Sequence, residues 1–144
     1  MKKFDFRLER VLELRRMEAE LEQARLAAQE AELTRLRGAI LRLDEDYQTQ
    51  LALTGLDAQE RAQLGQYRQH YESRRRQAEA QVSQQAERVD RQRQATTGAR
   101  QKVEVLEKVK QKQRNEWERQ LQKELDEAAM DSFLARWRPG TSVQ

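Results

Sequence analysis

Apolar side chains recur every three or four residues along two long stretches of the chain, a spacing that predicts α-helices packed side by side. Phe4 to Leu53 contains one glycine and no proline, and Asp57 to Trp137 contains two glycines and no proline. Both compositions favour uninterrupted helices. We therefore predict an all-α fold, an antiparallel two-helix coiled-coil hairpin whose second, C-terminal helix is the longer one.

The strong break between these stretches is Leu53-Thr54-Gly55-Leu56-Asp57. Gly55 can adopt the left-handed conformation that ends a helix, and Asp57 with Glu60 has the spacing of a capping box, which begins one. Pro139 disfavours helical geometry at the residue before it. We predict a single hairpin over residues 1–138, with a helix at about 4–53, a turn at 54–57, a helix at about 57–137 and a disordered tail at 139–144.

Two runs of apolar residues in the first helix are candidates for its seam, the line of side chains through which one helix packs on the other. The first run is Leu14, Met17, Leu21, Ala24, Ala28 and Ala31, and the second is Leu33, Leu36, Ile40, Leu43 and Tyr47. Each run alternates steps of three and four residues, but the two start in different phases. This pattern predicts that both runs pack inward and that the repeat slips between Ala31 and Leu33.

In the second helix a single repeat predicts the seam. Its members are Leu64, Tyr67, Tyr71, Ala78, Val82, Gln85, Val89, Gln92, Thr96, Ala99, Val103 and Leu106. The small and polar members weaken the seam, and Ala95-Thr96-Thr97-Gly98 has low helix propensity. We expect a continuous helix there in preference to a bend.

Folding the chain at Gly55 predicts which residues face each other. Tyr47 should lie near Leu64, and Phe4 near Glu107. From about residue 113 onward the second helix would extend past the first. This overhang carries an apolar set that we expect to bind another protein, because it has no partner within the hairpin. Its members are Trp117, Leu121, Leu125, Ala128, Met130, Phe133, Leu134 and Trp137.

Composition narrows the class of protein. Hydrophobic and charged residues each make up 37% of the 144 residues, and the mean hydropathy is −1.11, which is too polar for a thick globular core. The net charge of +3 comes from 28 basic and 25 acidic residues, and no cysteine occurs. No apolar segment has the length of a signal peptide or a membrane span, so we expect a soluble, cytoplasmic protein.

Side chains suited to catalysis or metal binding are sparse. His70 is the single histidine, and the carboxylates of Asp44-Glu45-Asp46 point in different directions on a helix instead of converging on one ion. The sequence contains no glycine-rich phosphate loop. A two-helix fold also offers no deep pocket in which reacting groups could be held. We predict that the chain is not an enzyme and that it has no catalytic, metal-binding or cofactor-binding residues.

Two short segments carry a resemblance to a known family. The stretch Lys3-Phe4-Asp5-Phe6-Arg7-Leu8-Glu9-Arg10-Val11-Leu12-Glu13-Leu14-Arg15 closely resembles the start of the FliJ family of flagellar export proteins. Met130-Asp131-Ser132-Phe133 is similar to the element MD-x-F that the family carries ahead of a basic tail. Chain length, the lack of cysteine and the predicted hairpin agree with the resemblance, although the middle of the chain is generic coiled coil.

The resemblance implies a non-enzymatic stalk that sits in the hexameric ring of the flagellar export ATPase, contacts the membrane export gate and escorts export chaperones. It also implies a cytoplasmic protein that is peripherally associated with the inner membrane at the flagellar base, with no transmembrane segment. The residues expected to contact the ATPase ring are Phe4, Phe6, Leu8, Trp117, Met130 and Phe133. Those expected to contact the export gate are Tyr47, Leu51, Tyr67 and Tyr71.

Several alternatives remain open at this stage. The tyrosines, and the apolar residues near the N-terminus, could pack within the hairpin instead of binding a partner. The whole protein could be the equivalent stalk of a virulence-type secretion system or a purely structural coiled coil. Nucleic acid binding is a minor alternative, because the clustered arginines are spread around the helix and form no single basic stripe. These arginines are Arg74, Arg75, Arg76, Arg88, Arg91 and Arg93.

Overall fold

The computed structural model describes residues 2–53, 55 and 57–137. Helix α1 spans Glu9–Leu53 and helix α2 spans Ala58–Arg136. The two long helices pack antiparallel against each other, and no strand occurs among the described residues. The predicted all-α two-helix fold is confirmed. The predicted disordered tail and two of the four predicted turn residues lie outside the described part of the chain.

Helix α1 begins at Glu9 instead of at about residue 4. The amide of Glu9 donates a hydrogen bond to the carbonyl of Phe6 at 3.0 Å, which forms a turn just before the helix. Phe6 is 4% exposed, so the preceding segment is held by burial of its aromatic side chain and not by helical hydrogen bonds. An extended residue advances about twice as far as a helical one, which lets this segment reach further along α2 than a helix would.

At the other end of α1, Gly55 lies beside the side chain of Glu60. Its missing side chain leaves room for the carboxylate of Glu60, with which a Cβ atom at this position would collide. The carbonyl of Asp57 accepts the hydrogen bond of the Arg61 amide at 2.9 Å, as expected for the residue that precedes a helix. Asp57 therefore marks the start of α2.

The chain divides into two compact units. The terminal unit consists of Met1–Arg16 and Gln101–Gln144, and the middle unit consists of Met17–Arg100. Each unit contains part of α1 and part of α2. In the middle unit, Leu26, Leu33 and Val89 form a hydrophobic core, against which Val82 and Ala86 are packed.

The seam of α1 differs from the predicted one. Leu14, Met17 and Leu21 are 52%, 66% and 51% exposed, and the three alanines that follow them in the predicted run are exposed as well. The second predicted run continues toward the N-terminus without a slip, so the predicted break in the repeat is wrong. The seam follows steps of three and four residues through positions that are all buried or half-buried, namely Leu12, Arg15, Ala19, Glu22, Leu26, Gln29, Leu33, Leu36, Ile40, Leu43 and Tyr47.

Polar pairs fill the seam of the middle unit where apolar side chains are missing. Gln85 is 4% exposed, and its side-chain amide donates to the backbone carbonyl of Gln29 at 3.0 Å and to its side-chain oxygen at 2.6 Å. The amide of Gln92 donates in the same way to the carbonyl of Glu22 at 3.1 Å and to its carboxylate at 2.5 Å. A buried polar group without a hydrogen-bond partner lowers the stability of a protein. These pairs supply the partners, so polar residues can occupy the seam.

The seam of α2 matches the sequence prediction, since every predicted member is buried or half-buried. The helix runs without interruption through the segment of low propensity around Thr96. Thr96 is 2% exposed, and its hydroxyl oxygen lies 2.9 Å from the carbonyl oxygen of Gln92 and 3.2 Å from that of Glu22. The threonine therefore satisfies its hydroxyl without breaking the helix.

Candidate functional site

The N-terminal aromatic residues pack on α2 within the terminal unit. The ring centroids of Phe4 and Trp117 lie 6.0 Å apart with an interplanar angle of 51°. The indole nitrogen of Trp117 donates to the carbonyl of Lys2 at 3.2 Å. The prediction that Trp117 is unpartnered, and that Phe4 faces Glu107, is therefore wrong. The extended segment before α1 carries Phe4 further along α2 than a helix would have done.

Phe6 has a structural role in the same unit. The ammonium nitrogen of Lys110 lies 6.0 Å from the centroid of its ring and 2.7 Å from a carboxylate oxygen of Glu9. Arg16 and Glu107 form a second ion pair between the helices, at 3.3 Å. The ammonium of Lys110 is attracted both by the aromatic face of Phe6 and by the carboxylate of Glu9. These two contacts fix the start of α1 on α2.

The far end of α2 carries an exposed apolar surface. Met130, Phe133, Leu134 and Trp137 are 57%, 61%, 53% and 65% exposed. Their spacing of three, four and seven residues places them on one side of the helix. We call these four residues the C-terminal apolar face. Within the described part of the chain, none of these four side chains makes a ring contact or a hydrogen bond.

The six residues predicted to contact the ATPase ring thus fall into two groups. Phe6 is buried, and Phe4 and Trp117 are half-buried against each other. Leu8, Met130 and Phe133 are exposed, with Leu8 at 38%. The first group stabilises the terminal unit, whereas the second group has side-chain surface available for a partner.

In the middle unit, the three tyrosines of the protein form one cluster between α1 and α2. The rings of Tyr47 and Tyr71 are nearly parallel, with centroids 4.0 Å apart and an interplanar angle of 5°. Tyr47 also stacks on Tyr67 at 5.9 Å and 17°. Tyr47 therefore faces Tyr71 rather than the predicted Leu64, because the helices meet in a different alignment from that of a fold centred on Gly55. Each of the three tyrosines is half-buried.

A charged pair fixes the position of Tyr71. Its hydroxyl donates a hydrogen bond to a carboxylate oxygen of Asp44 at 2.5 Å, and the guanidinium of Arg75 binds the same oxygen. Arg75 also lies 3.3 Å from the Tyr71 hydroxyl and 3.0 Å from Glu79. We call Asp44, Tyr71 and Arg75 the hydroxyl clamp.

The hydroxyl clamp shifts the protonation equilibria of its members. Hydrogen bonds from Arg75 and then Tyr71 lower the pKa of Asp44, because both donors stabilise the carboxylate. The hydrogen bond to Asp44 raises the pKa of Tyr71, since ionisation would place two anions together. The same carboxylate raises the pKa of Arg75. At neutral pH the clamp therefore consists of an anion, a cation and a neutral phenol.

Leu51, the fourth residue predicted to contact the export gate, is half-buried near the end of α1. Next to it lies an open cleft of about 390 Å³. The cleft is shallow and mostly polar, so it resembles a surface groove more than a ligand pocket. It is lined by Gln50, Leu53, Glu60, Gln63, Leu64 and Tyr67.

Sequence reasoning missed Asp44 and Arg75 as parts of this site. Asp44 belonged to a run of carboxylates and Arg75 to a run of arginines, and both runs have the appearance of solvated surface. Their hydrogen bonds join residues 27 and 31 positions apart, which no local spacing rule connects. The one available signal was that residue 75 lies four positions after a predicted seam residue, Tyr71.

The described residues contain no group of three or more acidic or histidine side chains able to hold a metal ion. Within the same part of the chain, no helix is long and apolar enough to cross a membrane. What the structure does present is exposed apolar surface on α2 and an aromatic cluster between the helices. These features define a two-helix coiled-coil protein with exposed apolar surface.

Comparison with known proteins gives the family. A family model described as the flagellar FliJ protein matches residues 3–138, and the chain belongs to this family. At the level of the family it is a stalk protein related to flagellar export. No match was found among curated proteins or among solved structures.

Proposed function

We propose that this protein is the stalk of a flagellar export ATPase, with its terminal unit bound in the central opening of the hexameric ring. The chain catalyses no reaction itself. A single stalk contacts some of the six ring subunits differently from the others. The resulting difference in binding energy favours one order in which the subunits hydrolyse ATP.

The C-terminal apolar face is the observation that carries this proposal. Four large apolar side chains, each more than half exposed, lie on one side at the C-terminal end of α2, three of them within the helix and Trp137 just after it. Methionine and aromatic side chains are frequent anchors in protein interfaces, because they bury a large area at low entropic cost. A surface of this kind on a member of a flagellar export family fits a binding site on the export machinery.

We further propose that the tyrosine cluster contacts the membrane export gate. Tyr67 and Tyr71 both stack on Tyr47, and these three residues and Leu51 are half-buried, so each keeps part of its surface accessible to a partner. The hydroxyl clamp keeps the cluster in one arrangement, so little side-chain entropy is lost when a partner binds. This role would place the protein at the cytoplasmic face of the inner membrane, where it could also escort export chaperones.

The proposal is tested by measuring ATP hydrolysis by the purified export ATPase as this protein is added. We expect the wild-type chain to stimulate hydrolysis. Replacing Met130 and Phe133 by alanine removes two exposed anchors, so the concentration needed for half-maximal stimulation should rise by about tenfold or more. Circular dichroism should show unchanged helix content, because neither side chain is buried.

A matched control uses Glu124→Ala with Ser132→Ala, which are exposed on α2 away from the C-terminal apolar face. This variant should stimulate like the wild type. If the ATPase is not stimulated by the wild-type chain, or if the Met130 and Phe133 variant stimulates equally well, the stalk proposal fails. A separate variant, Phe6→Ala, should instead lower thermal stability, because its side chain is buried.

A further inference from the structure

The part of α2 in the terminal unit carries a row of cations on its outer side. Lys110 and Trp117 face the N-terminal part of the chain, because they contact Glu9 and Phe4. A residue two positions away from either of them lies about 200° around the helix, on the opposite side. Two members of the row flank Lys110 in this way, a third follows Trp117, and the fourth comes about one turn later. We call Lys108, Lys112, Arg119 and Lys123 the basic stripe.

The members of the basic stripe are exposed, and within the part of the chain that the structure describes they form no ion pair. Residues 108–123 contain six basic and two acidic residues. The other two basic residues are already paired, Lys110 with a glutamate of α1 at 2.7 Å and Arg114 with Glu118 at 3.4 Å. The remaining acidic residue, Glu116, lies at the edge of the stripe. This side of α2 therefore has four unpaired cations beside one carboxylate.

The spacing within the basic stripe is unfavourable for an isolated helix. Two pairs of its members are four positions apart, namely Lys108 with Lys112 and Arg119 with Lys123. Like charges at this spacing lie close together on a helix surface and repel each other. A bound group of negative charge would remove this repulsion. The stripe therefore has the properties of a binding surface for carboxylates or phosphates.

The basic stripe and the C-terminal apolar face lie on the same side of α2. Met130 follows Arg119 by eleven residues, which is about three helical turns. The stripe extends about 22 Å along the helix, and the apolar face begins about 10 Å beyond its last member. One partner that lies along this side of α2 can therefore contact both surfaces.

The residues between the two surfaces indicate which kind of partner fits. Residues 124–131 contain four acidic residues and no basic residue. Asp126 follows Arg119 by nearly two turns, so it lies in line with the stripe, and its carboxylate accepts a hydrogen bond from Gln122 at 3.0 Å. An anionic membrane or a nucleic acid is negative along its whole length and would be repelled by these carboxylates. A protein segment can place its acidic residues at the stripe and neutral residues beyond it.

We propose that the basic stripe is the docking site for an acidic segment of another protein, one that carries an apolar anchor beyond its run of carboxylates. The carboxylates would contact Lys112 and Arg119, and the anchor would contact the C-terminal apolar face. The inference concerns the chemistry of the partner. It does not depend on that partner being the export ATPase.

The test uses two synthetic peptides as probes. Both end in the same leucine-rich anchor, but one carries a run of glutamates and the other carries glutamines in their place. Binding of each fluorescently labelled peptide to the full chain is measured by anisotropy. We expect the glutamate peptide to bind with a Kd on the order of 10 μM and at least about tenfold more tightly than the glutamine peptide. Added salt should weaken its binding.

Replacing Lys112 and Arg119 by glutamate should weaken binding of the glutamate peptide by about tenfold or more. Both side chains are exposed, so the helix content measured by circular dichroism should not change. The matched control is Arg10→Glu with Lys102→Glu, which changes the net charge by the same amount in the same unit at exposed positions outside the stripe. This control should bind the glutamate peptide like the wild type.

Equal binding of the two peptides, or equal affinities of the two variants for the glutamate peptide, would overturn the proposal. Tighter binding to phosphatidylglycerol vesicles or to a single-stranded oligonucleotide than to the glutamate peptide would also overturn it, since the occupant would then not be a protein. Sedimentation showing a dimer that the Lys112 and Arg119 variant abolishes would do the same, because the occupant would be a second copy of this chain.

Discussion

Asp44 shows how much one side chain can organise between two helices. It accepts hydrogen bonds from Tyr71 and Arg75 of α2, and Tyr71 in turn stacks on Tyr47 of α1. The carboxylate of Asp44 thus fixes the position of the Tyr71 ring, and the Tyr71 ring fixes that of Tyr47. A charge-assisted hydrogen bond is stronger than a neutral one, which explains why a half-exposed group can have this effect.

Asp44→Asn should therefore change the ionisation of a residue on the other helix. The present hydrogen bond to the carboxylate raises the pKa of Tyr71, so its loss should move that pKa back toward the ordinary tyrosine range. The protein contains three tyrosines, and tyrosinate absorbance during an alkaline titration reports all of them. Asp46→Asn is the control, since residue 46 is exposed. Superimposed titration curves for wild type and Asp44→Asn would contradict this account.

The two pKa shifts also define the pH range over which the hydroxyl clamp stabilises the fold. The lowered pKa of Asp44 gives stability that is present above about pH 4 and lost as the pH falls through the folded-state value. The raised pKa of Tyr71 gives stability that is present below about pH 10 and lost as the pH rises through its folded-state value. Between these limits, thermal unfolding should show no pH dependence from the clamp.

At the scale of the helix, the two apolar stripes of α1 explain what the sequence could and could not predict. The seam of α2 was predictable because its apolar, small and polar members keep a single repeat. In α1 the more apolar stripe lies outside, and the true seam includes Glu22 and Gln29. Their partners Gln92 and Gln85 lie 70 and 56 positions away, so no local pattern shows that these polar residues are satisfied. The spacing of apolar residues therefore predicted the wrong face of α1 as the seam.

Matched leucine substitutions separate the two stripes. Leu26→Ala removes a side chain that is 9% exposed, and it should lower the free energy of unfolding by about 2 kcal/mol or more. Leu21→Ala removes one that is 51% exposed, and it should change stability by less than about 0.5 kcal/mol. Urea unfolding followed by circular dichroism measures both. Equal destabilisation by the two substitutions would show that the seam of α1 is not the one described.

At the scale of the whole molecule, protection of the backbone should follow the buried side chains. The fully or nearly buried apolar residues of the described chain are Phe6, Leu12, Leu26, Leu33 and Val89. After Trp117, all described residues of α2 are exposed except Leu121, which is half-buried. Helices depend on tertiary packing for most of their stability, so the last part of α2 should open more readily than the part around Val89.

Hydrogen exchange measured along the whole chain tests this expectation. Amides near Leu26, Leu33 and Val89 should exchange slowest, and those of residues 125–136 fastest among the helical positions. Adding the export ATPase should slow exchange at residues 125–136 if the C-terminal apolar face is its binding site. Uniform protection along α2 in the free protein would contradict the link between burial and local stability.

The polar pairs of the seam have a mechanical consequence. Glu22 and Gln29 are seven residues apart, and so are their partners Gln92 and Gln85. If α1 slid along α2 by one heptad in the middle unit, one glutamine would still meet a polar partner, and Leu33 would take the place of Leu26. We expect such a displacement to cost much less than a shift by any other number of residues. The residues seven positions away from Asp44, Tyr71 and Arg75 cannot form the same hydrogen bonds. The hydroxyl clamp therefore favours one alignment of the two helices over the alignment shifted by a heptad.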